Sequence, residues 1–249
     1  MNKKKALTLI ALLLLTMAAG AKTVNIHNST PQPQPGTAPQ GVVAVDLGLP
    51  SGTKWANMNV GATKPEEYGL YLSWGETVGY KKYMKINDAY TDISLTKYNT
   101  NSRFGTVDNK TTLDLEDDAA HVIWGGSWVM PTSGEIDELL ANTTSEWTTV
   151  NGIKGYKFTS KTNGNSIFLP AAGRSTSHLS GRWSPLIGDI AGTEEYQQVI
   201  GRYWSASLDG KLDGKRPFFA TSLNFSEGYK NVSIELRFFQ FPVRAVIRK

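Results

Sequence analysis

Two stretches carry the secondary-structure class of this chain: Thr111-Thr112-Leu113-Asp114-Leu115-Glu116-Asp117-Asp118-Ala119-Ala120-His121-Val122-Ile123-Trp124, and Met130-Pro131-Thr132-Ser133-Gly134-Glu135-Ile136-Asp137-Glu138-Leu139-Leu140. In the second, Thr132 and Glu135 have the spacing of a capping box, hydroxyl to one orphan backbone N–H and carboxylate back to another. Ile136, Leu139 and Leu140 then supply a buried face. In the first, Thr111 or Thr112 is the expected cap. Asp114 and Glu116 sit in the opening turn, where the helix dipole favours acids, and Leu115, Ala119, Val122 and Ile123 make one apolar stripe. Two adjacent helices inside a chain of short strands are an α+β pattern. A parallel α/β sheet would instead repeat strand and helix in alternation.

Outward from the helices the texture is short strands separated by Gly, Asn and Asp turns. Val43, Val45 and Leu47 alternate with Ala44 and Asp46, and Val243, Ala245 and Ile247 alternate with Arg244, Val246 and Arg248. Each has the period of a half-buried strand. These terminal strands are expected to pair, bringing the domain's ends together. Further strands are expected at Tyr68–Trp74, Gly155–Thr159, Ser166–Pro170, Arg202–Ser207, Phe218–Phe225 and Val232–Phe239. Between Ala171 and Gly201 periodicity fades into a long Gly- and Ser-rich loop region, and loops of that length in compact domains are usually functional or mobile.

The first residues read as an address. Lys3, Lys4 and Lys5 precede an apolar run from Ala6 to Met17, and Ala19-Gly20-Ala21 offers the small residues a signal peptidase accepts. That run falls short of the roughly 20 apolar residues that span a bilayer. The expected organisation is a signal peptide at 1–21, a linker at 22–41 carrying Pro31, Pro33, Pro35 and Pro39, and one folded domain at 42–249. The expected location is the periplasm or cell surface, with no membrane insertion after cleavage. Charge agrees with this division. The whole chain has 26 Lys+Arg against 22 Asp+Glu, and without the three leader lysines the balance is 23 against 22. A nearly neutral surface with no basic run argues against nucleic-acid binding driven by phosphate neutralisation. The chain has no cysteine. That excludes disulfides, thiolate metal sites, Fe–S clusters, a Cys nucleophile and a lipoprotein anchor.

Catalytic signatures are sparse, and no cofactor is expected. Of three histidines, His27 lies in the linker, which leaves His121 and His178 for any triad. There is no Gly-x-Ser-x-Gly elbow, Walker loop, dinucleotide fingerprint or His-Glu-x-x-His motif. Asp114, Asp117, Asp118 and His121 are spaced to share one helical face. They read either as weak candidate ligands for a divalent cation or as a solvated acidic face with His121 paired to Asp117; a calcium site needs six to eight ligands from a folded loop. Paired carboxylates for glycoside hydrolysis stay open among 22 acids. Seven Trp form the second feature. Trp55, Trp74, Trp124, Trp128, Trp147 and Trp204 lie in or beside expected elements and read as core. Trp183 lies in the long loop with Arg174, His178 and Arg182, and with Arg202 on the following strand these make a candidate ligand-binding set, since sugar rings stack on such aromatics.

Several strings resemble one family. Val45-Asp46-Leu47-Gly48-Leu49-Pro50-Ser51-Gly52-Thr53-Lys54-Trp55-Ala56, Asn59-Val60-Gly61-Ala62 and Tyr71-Leu72-Ser73-Trp74-Gly75-Glu76 are similar to the Fibrobacter succinogenes major paralogous domain family of exported bacterial proteins. So are Asp117-Asp118-Ala119-Ala120, Trp128-Val129-Met130-Pro131-Thr132, Phe168-Leu169-Pro170-Ala171-Ala172-Gly173, Tyr203-Trp204-Ser205 and Pro242-Val243-Arg244. The resemblance implies a C-type-lectin-like fold, shared with formylglycine-generating enzymes, with paired terminal strands, two helices and a long loop region. Those enzymes act through cysteines, and calcium-dependent lectins use Glu-Pro-Asn or Gln-Pro-Asp with Trp-Asn-Asp. None of these occurs here, so no functional residue carries over. The expected function is a non-catalytic binding or adhesion domain for an unknown glycan or protein, the alternatives being a polysaccharide-active enzyme or a structural subunit of a surface assembly.

Overall fold

The computed structural model describes residues 36–77, 84–86, 93–175, 194–208 and 217–249. All of them belong to the unit Pro33–Lys249. The first strand, β1 (Ala44–Val45), turns back into β2 (Lys54–Ala56), with Ala44 opposite Ala56 and Val45 opposite Trp55. The turn closes on a bond from the Gly52 N–H to the Leu49 carbonyl at 2.9 Å, and Gly52 has φ +76°, which a residue without Cβ adopts at little cost. A ribbon follows, β3 (Met84–Ile86) against β4 (Ile93–Leu95). Helix α1 (Ala119–Trp124) leads through β5 (Trp128–Val129) into α2 (Ser133–Asn142). Next come the meander β6 (Thr143–Val150), β7 (Ile153–Ser160) and β8 (Ser166–Pro170), and the ribbon β9 (Arg174–Ser175) with β10 (Glu194–Glu195). The meander β11 (Ile200–Leu208), β12 (Phe219–Ser226) and β13 (Tyr229–Leu236) precedes the last strand, β14 (Val246–Ile247).

Among the described residues these strands form one four-stranded sheet in the order β1-β2-β14-β5, two three-stranded sheets and two ribbons. Every named pair is antiparallel. Mostly antiparallel sheets with two helices make the chain α+β. No helix of the described residues is long and apolar enough to cross a membrane.

The terminal strands share a sheet but do not pair as expected. Val246 lies opposite Trp55 of β2 and Val129 of β5, so β2 stands between β1 and β14. The reason is loop closure: β1 and β2 are joined by one short turn, and a nearby partner costs less chain entropy than one at the far end. The first helix also differs. It begins at Asp118, whose carboxylate accepts from the His121 N–H, and residues Leu115–Asp117 form a separate 3-10 turn. Leu115, expected in the buried stripe, is exposed. Thr111 and Leu113 are instead tied to β11 by the bonds Leu208 N–H to Thr111 O (2.8 Å) and Leu113 N–H to Ala206 O (2.9 Å). The second helix forms as read. Both halves of its capping box are present, with Ile136 and Leu139 buried. Tyr68–Trp74 yields only a bridge from Leu72 to Phe241, whereas β6 is an additional strand.

The buried residues gather in two apolar clusters. One contains Met58, Trp74, Trp124, Trp128, Trp204 and Phe241; the other contains Leu47, Trp55, Ile136, Leu139, Phe158 and Phe225. Five of the six tryptophans expected in the core are buried there, and Trp147 packs half-buried against the second cluster. Trp74 and Trp204 each donate their indole N–H to a backbone carbonyl near the other, Ser205 and Leu72, at 2.8 and 2.9 Å. The segment before β1 already touches the domain: the Gly36 N–H meets the Ile123 carbonyl at 3.3 Å, and Ala38 packs on the first cluster.

Candidate functional site

The recurring sequence strings meet around a buried arginine. Arg244 is 1 % exposed, and its guanidinium donates to Asn59 Oδ1 at 2.8 Å, the Ala56 carbonyl at 3.0 Å and the Phe168 carbonyl at 2.8 Å. Asn59 in turn donates to the Tyr68 carbonyl at 2.8 Å and to the Tyr203 hydroxyl at 3.2 Å, and that hydroxyl donates to the Pro170 carbonyl at 2.7 Å. Burial pushes the Tyr203 hydroxyl up to about 12 against the pull of Arg244, and burial draws Arg244 down to about 10. Five of the strings therefore share one sealed hydrogen-bond network. The side chains of Asn59, Tyr203 and Arg244 build the scaffold and are buried. Arg237 is a second buried guanidinium, set 4.7 Å from the Trp74 ring and bonded to the Lys97 and Tyr98 carbonyls. Burial draws it down to about 9.

The acidic constellation does not form one face. Asp118 is spent as the cap of α1: its carboxylate accepts from the His121 N–H at 3.0 Å and the Met130 N–H at 2.8 Å. Burial raises its pKa despite these bonds. Asp117 is buried and accepts from the Tyr98 hydroxyl at 2.6 Å, so it does not pair with His121, whose Nδ1 is buried without a hydrogen-bond partner. Asp114, Glu116 and Asp117 do bring carboxylate oxygens within 4.8 Å of one another. Into that cup projects Lys97, with its Nζ 3.5 Å from Asp114, 2.6 Å from Glu116 and 2.5 Å from Asp117. The expected solvated face is thus replaced by a cup holding a tethered ammonium where a metal ion would go. Desolvation works against the charged amine, but the carboxylates outweigh it and raise the Lys97 pKa.

The binding set read from the long loop is brought together in part. His178, Arg182 and Trp183 lie outside the described residues. Arg174 and Arg202 stand over neighbouring rings, the Arg174 guanidinium 5.0 Å from the Phe239 centroid and the Arg202 guanidinium 5.7 Å from that of Phe241. The two rings are 6.1 Å apart. Strand pairing causes the meeting. Arg174 opens the β9–β10 ribbon opposite Glu195, while Gly173 bridges Gly201 and gives its N–H to the Ile200 carbonyl at 2.7 Å, which sets the start of β9 beside β11. Arg202 also pairs with Glu235 at 3.0 Å, and Glu235 accepts from Asn224 at 2.9 Å. Both arginines are half-buried with their guanidinium groups over aromatic rings, an arrangement that leaves the fork edges for planar polar groups.

One residue of this surface escaped the sequence reading. Tyr196 is 55 % exposed, and the Arg174 guanidinium lies 5.9 Å from its ring centroid as well as near Phe239. Its only sequence signal was an aromatic residue beside Gln197 and Gln198 at the end of the long loop. No family model, no curated protein and no solved structure matches this chain.

Proposed function

We propose that this chain is an exported, non-catalytic binding or adhesion domain of a bacterial cell envelope, on a C-type-lectin-like scaffold, that engages a glycan or protein at the base of its Ala171–Gly201 loop region. The observation that carries the reading is the pair Arg174 and Arg202, seated on Phe239 and Phe241 where that loop region leaves and rejoins the fold. The family-like strings support it from the other side, because their Asn59, Tyr203 and Arg244 side chains are consumed inside the scaffold. Acids that could serve in catalysis are also engaged: Asp117 by Lys97 and Tyr98, Asp118 by backbone N–H groups, and Glu135 by Arg248 at 2.8 Å. The leader-like first 21 residues support export to the periplasm or cell surface.

The test is a glycan array and an envelope-protein capture run with the purified protein and with an Arg174→Ala, Arg202→Ala double variant. Binding that falls at least about tenfold in the double variant is expected, since each fork offers charge-assisted hydrogen bonds. Binding unaffected by the double substitution would remove this surface from the function. Release of sugar from any polysaccharide, abolished by a single Asp or Glu substitution, would replace the reading with an enzymatic one.

A further inference from the structure

We infer that Tyr196 is a stacking platform for a pyranose ring of a neutral polysaccharide, with the neighbouring Gln198 amide meeting its hydroxyls. The inference rests on the reading of this domain as a binding module and names its ligand class. Tyr196 and Val199 are 55 % and 57 % exposed, an apolar pair on the turn between β10 and β11. The sheet does not need them there. Nor is the backbone relaxed: Tyr196 and Gln198 both have φ +61°, in the left-handed region that bulky side chains seldom occupy. Strain of this kind persists only where surrounding contacts over-determine it, and it concentrates at ligand sites.

Those contacts are present. The Gln198 N–H donates to the Ala171 carbonyl at 2.7 Å, and the Val199 and Ile200 N–H groups both reach the Tyr196 carbonyl at 3.1 Å. The Gln197 amide donates to the Tyr71 hydroxyl at 3.0 Å, and that hydroxyl donates to the Ala172 carbonyl at 2.6 Å. Beside the ring, the Arg174 guanidinium lies 5.9 Å from Tyr196 and 5.0 Å from buried Phe239, which connects the exposed aromatic to the core. A large exposed ring held this way loses little freedom when a ligand arrives, which is where preorganisation adds affinity.

The chemistry selects the ligand. A flat aromatic ring accepts the C–H face of a sugar, and a carboxamide offers one donor group and one acceptor to adjacent hydroxyls. Gln198 is exposed beside Tyr196. A neutral polymer fits better than an acidic one, because the Arg202 charge is already paired with Glu235 at 3.0 Å.

Affinity electrophoresis of the purified protein in gels containing a β-glucan, a xylan, a mannan or polygalacturonate tests this. The key variant is Tyr196→Gly, which removes the ring yet adopts φ +61° without strain, so the turn is kept; Tyr196→Phe keeps the ring. The expected result is retardation by at least one neutral polysaccharide, weakened about tenfold in Tyr196→Gly and within about twofold of the parent in Tyr196→Phe. Retardation indifferent to Tyr196→Gly, retardation by polygalacturonate alone, or no retardation by any polymer would overturn the inference. If a captured protein still requires Arg174 and Arg202 in any of those cases, the binding-module reading stands without the sugar. New reducing ends in the gel would overturn that reading itself.

Discussion

Arg244 and Arg174 both lie against elements that carry family-like strings, yet the molecule treats them in opposite ways. Arg244 is sealed, with three hydrogen bonds to Ala56, Asn59 and Phe168, and among the described residues no carboxylate pairs with it. Arg174 is half-buried between exposed Tyr196 and buried Phe239, where the loop region departs. A sealed guanidinium held by carbonyls is a structural tie, because each bond it leaves unmade strands a buried acceptor. A guanidinium at the surface loses little when its partner changes. The recognisable strings of this sequence therefore report the scaffold, and the surface suited to binding lies at their edges.

The largest effect expected from breaking this contrast is at the tie itself. Arg244→Met should cost at least about 3 kcal/mol in urea unfolding, since it strands the Asn59, Ala56 and Phe168 acceptors together. A loss under about 1 kcal/mol would mean that the network is incidental. Next comes Gly201, where the two regions join. A Cβ there would lie 2.0 Å from the Phe225 ring, so Gly201→Ala should destabilise by about 1–3 kcal/mol and disturb the β11 register beside Arg202.

Lys97→Met should cost about 1–2 kcal/mol by leaving Glu116 and buried Asp117 without the ammonium, while Asp114 keeps Lys110 at 2.5 Å. Three carboxylates are too few for a calcium site, so millimolar Ca2+ should not replace the ammonium. A variant restored to the parent's melting temperature by Ca2+ would show that the cup is a metal site in its own right.

A pH series sharpens the same contrast at α2. Burial works to raise the Glu135 carboxyl, but the hydrogen bonds from Arg248 and the Thr132 N–H outweigh it and hold it below the ordinary 4.5. Stability from a lowered carboxyl is fully present above the ordinary pKa and disappears as pH falls through the lowered one. Glu135→Gln should cost about 1 kcal/mol near neutral pH, and its deficit should close in acid. A deficit independent of pH would assign the loss to packing. The smallest effect is expected at the surface: Arg174→Ala should change stability by less than about 1 kcal/mol while weakening binding, as removal of a part-exposed stacked arginine does. A large stability loss there would erase the difference between the two arginines.

Much of the architecture was legible because its causes are local. The Thr132–Glu135 box predicted α2, and the short apolar run Ile167-Phe168-Leu169, bounded by Ser166 and Pro170, is fully buried as β8 with the expected bounds. β6 was legible too, had Asn151-Gly152 been weighed: those residues have φ 48° and 83°, the left-handed pair of a tight hairpin turn, and the threonines before them suit a strand. The first helix misled because Thr111, Thr112 and Asp118 are all competent caps. Contact of the Thr111–Leu113 segment with β11, some ninety residues away, decided among them. Of the site, Arg174 and Arg202 were legible as candidates but their meeting was not, since it depends on which strands pair.

By itself the sequence determined what a turn or a strand can settle within its own length: a helix begun by a capping box, strands with a period of two, tryptophans large enough to demand a core, and a chain without cysteine that must be held by packing. Only the tertiary structure decided that β2 separates the terminal strands, that Asp117 is buried beneath Lys97, that Arg244 is sealed while Arg174 is not, and that Tyr196 is left at the surface in a left-handed conformation. Capping and alternation act over a few residues, whereas burial and charge pairing are properties of the segments that meet. A carboxylate or guanidinium has the same formula in either place, and its role follows from its neighbours.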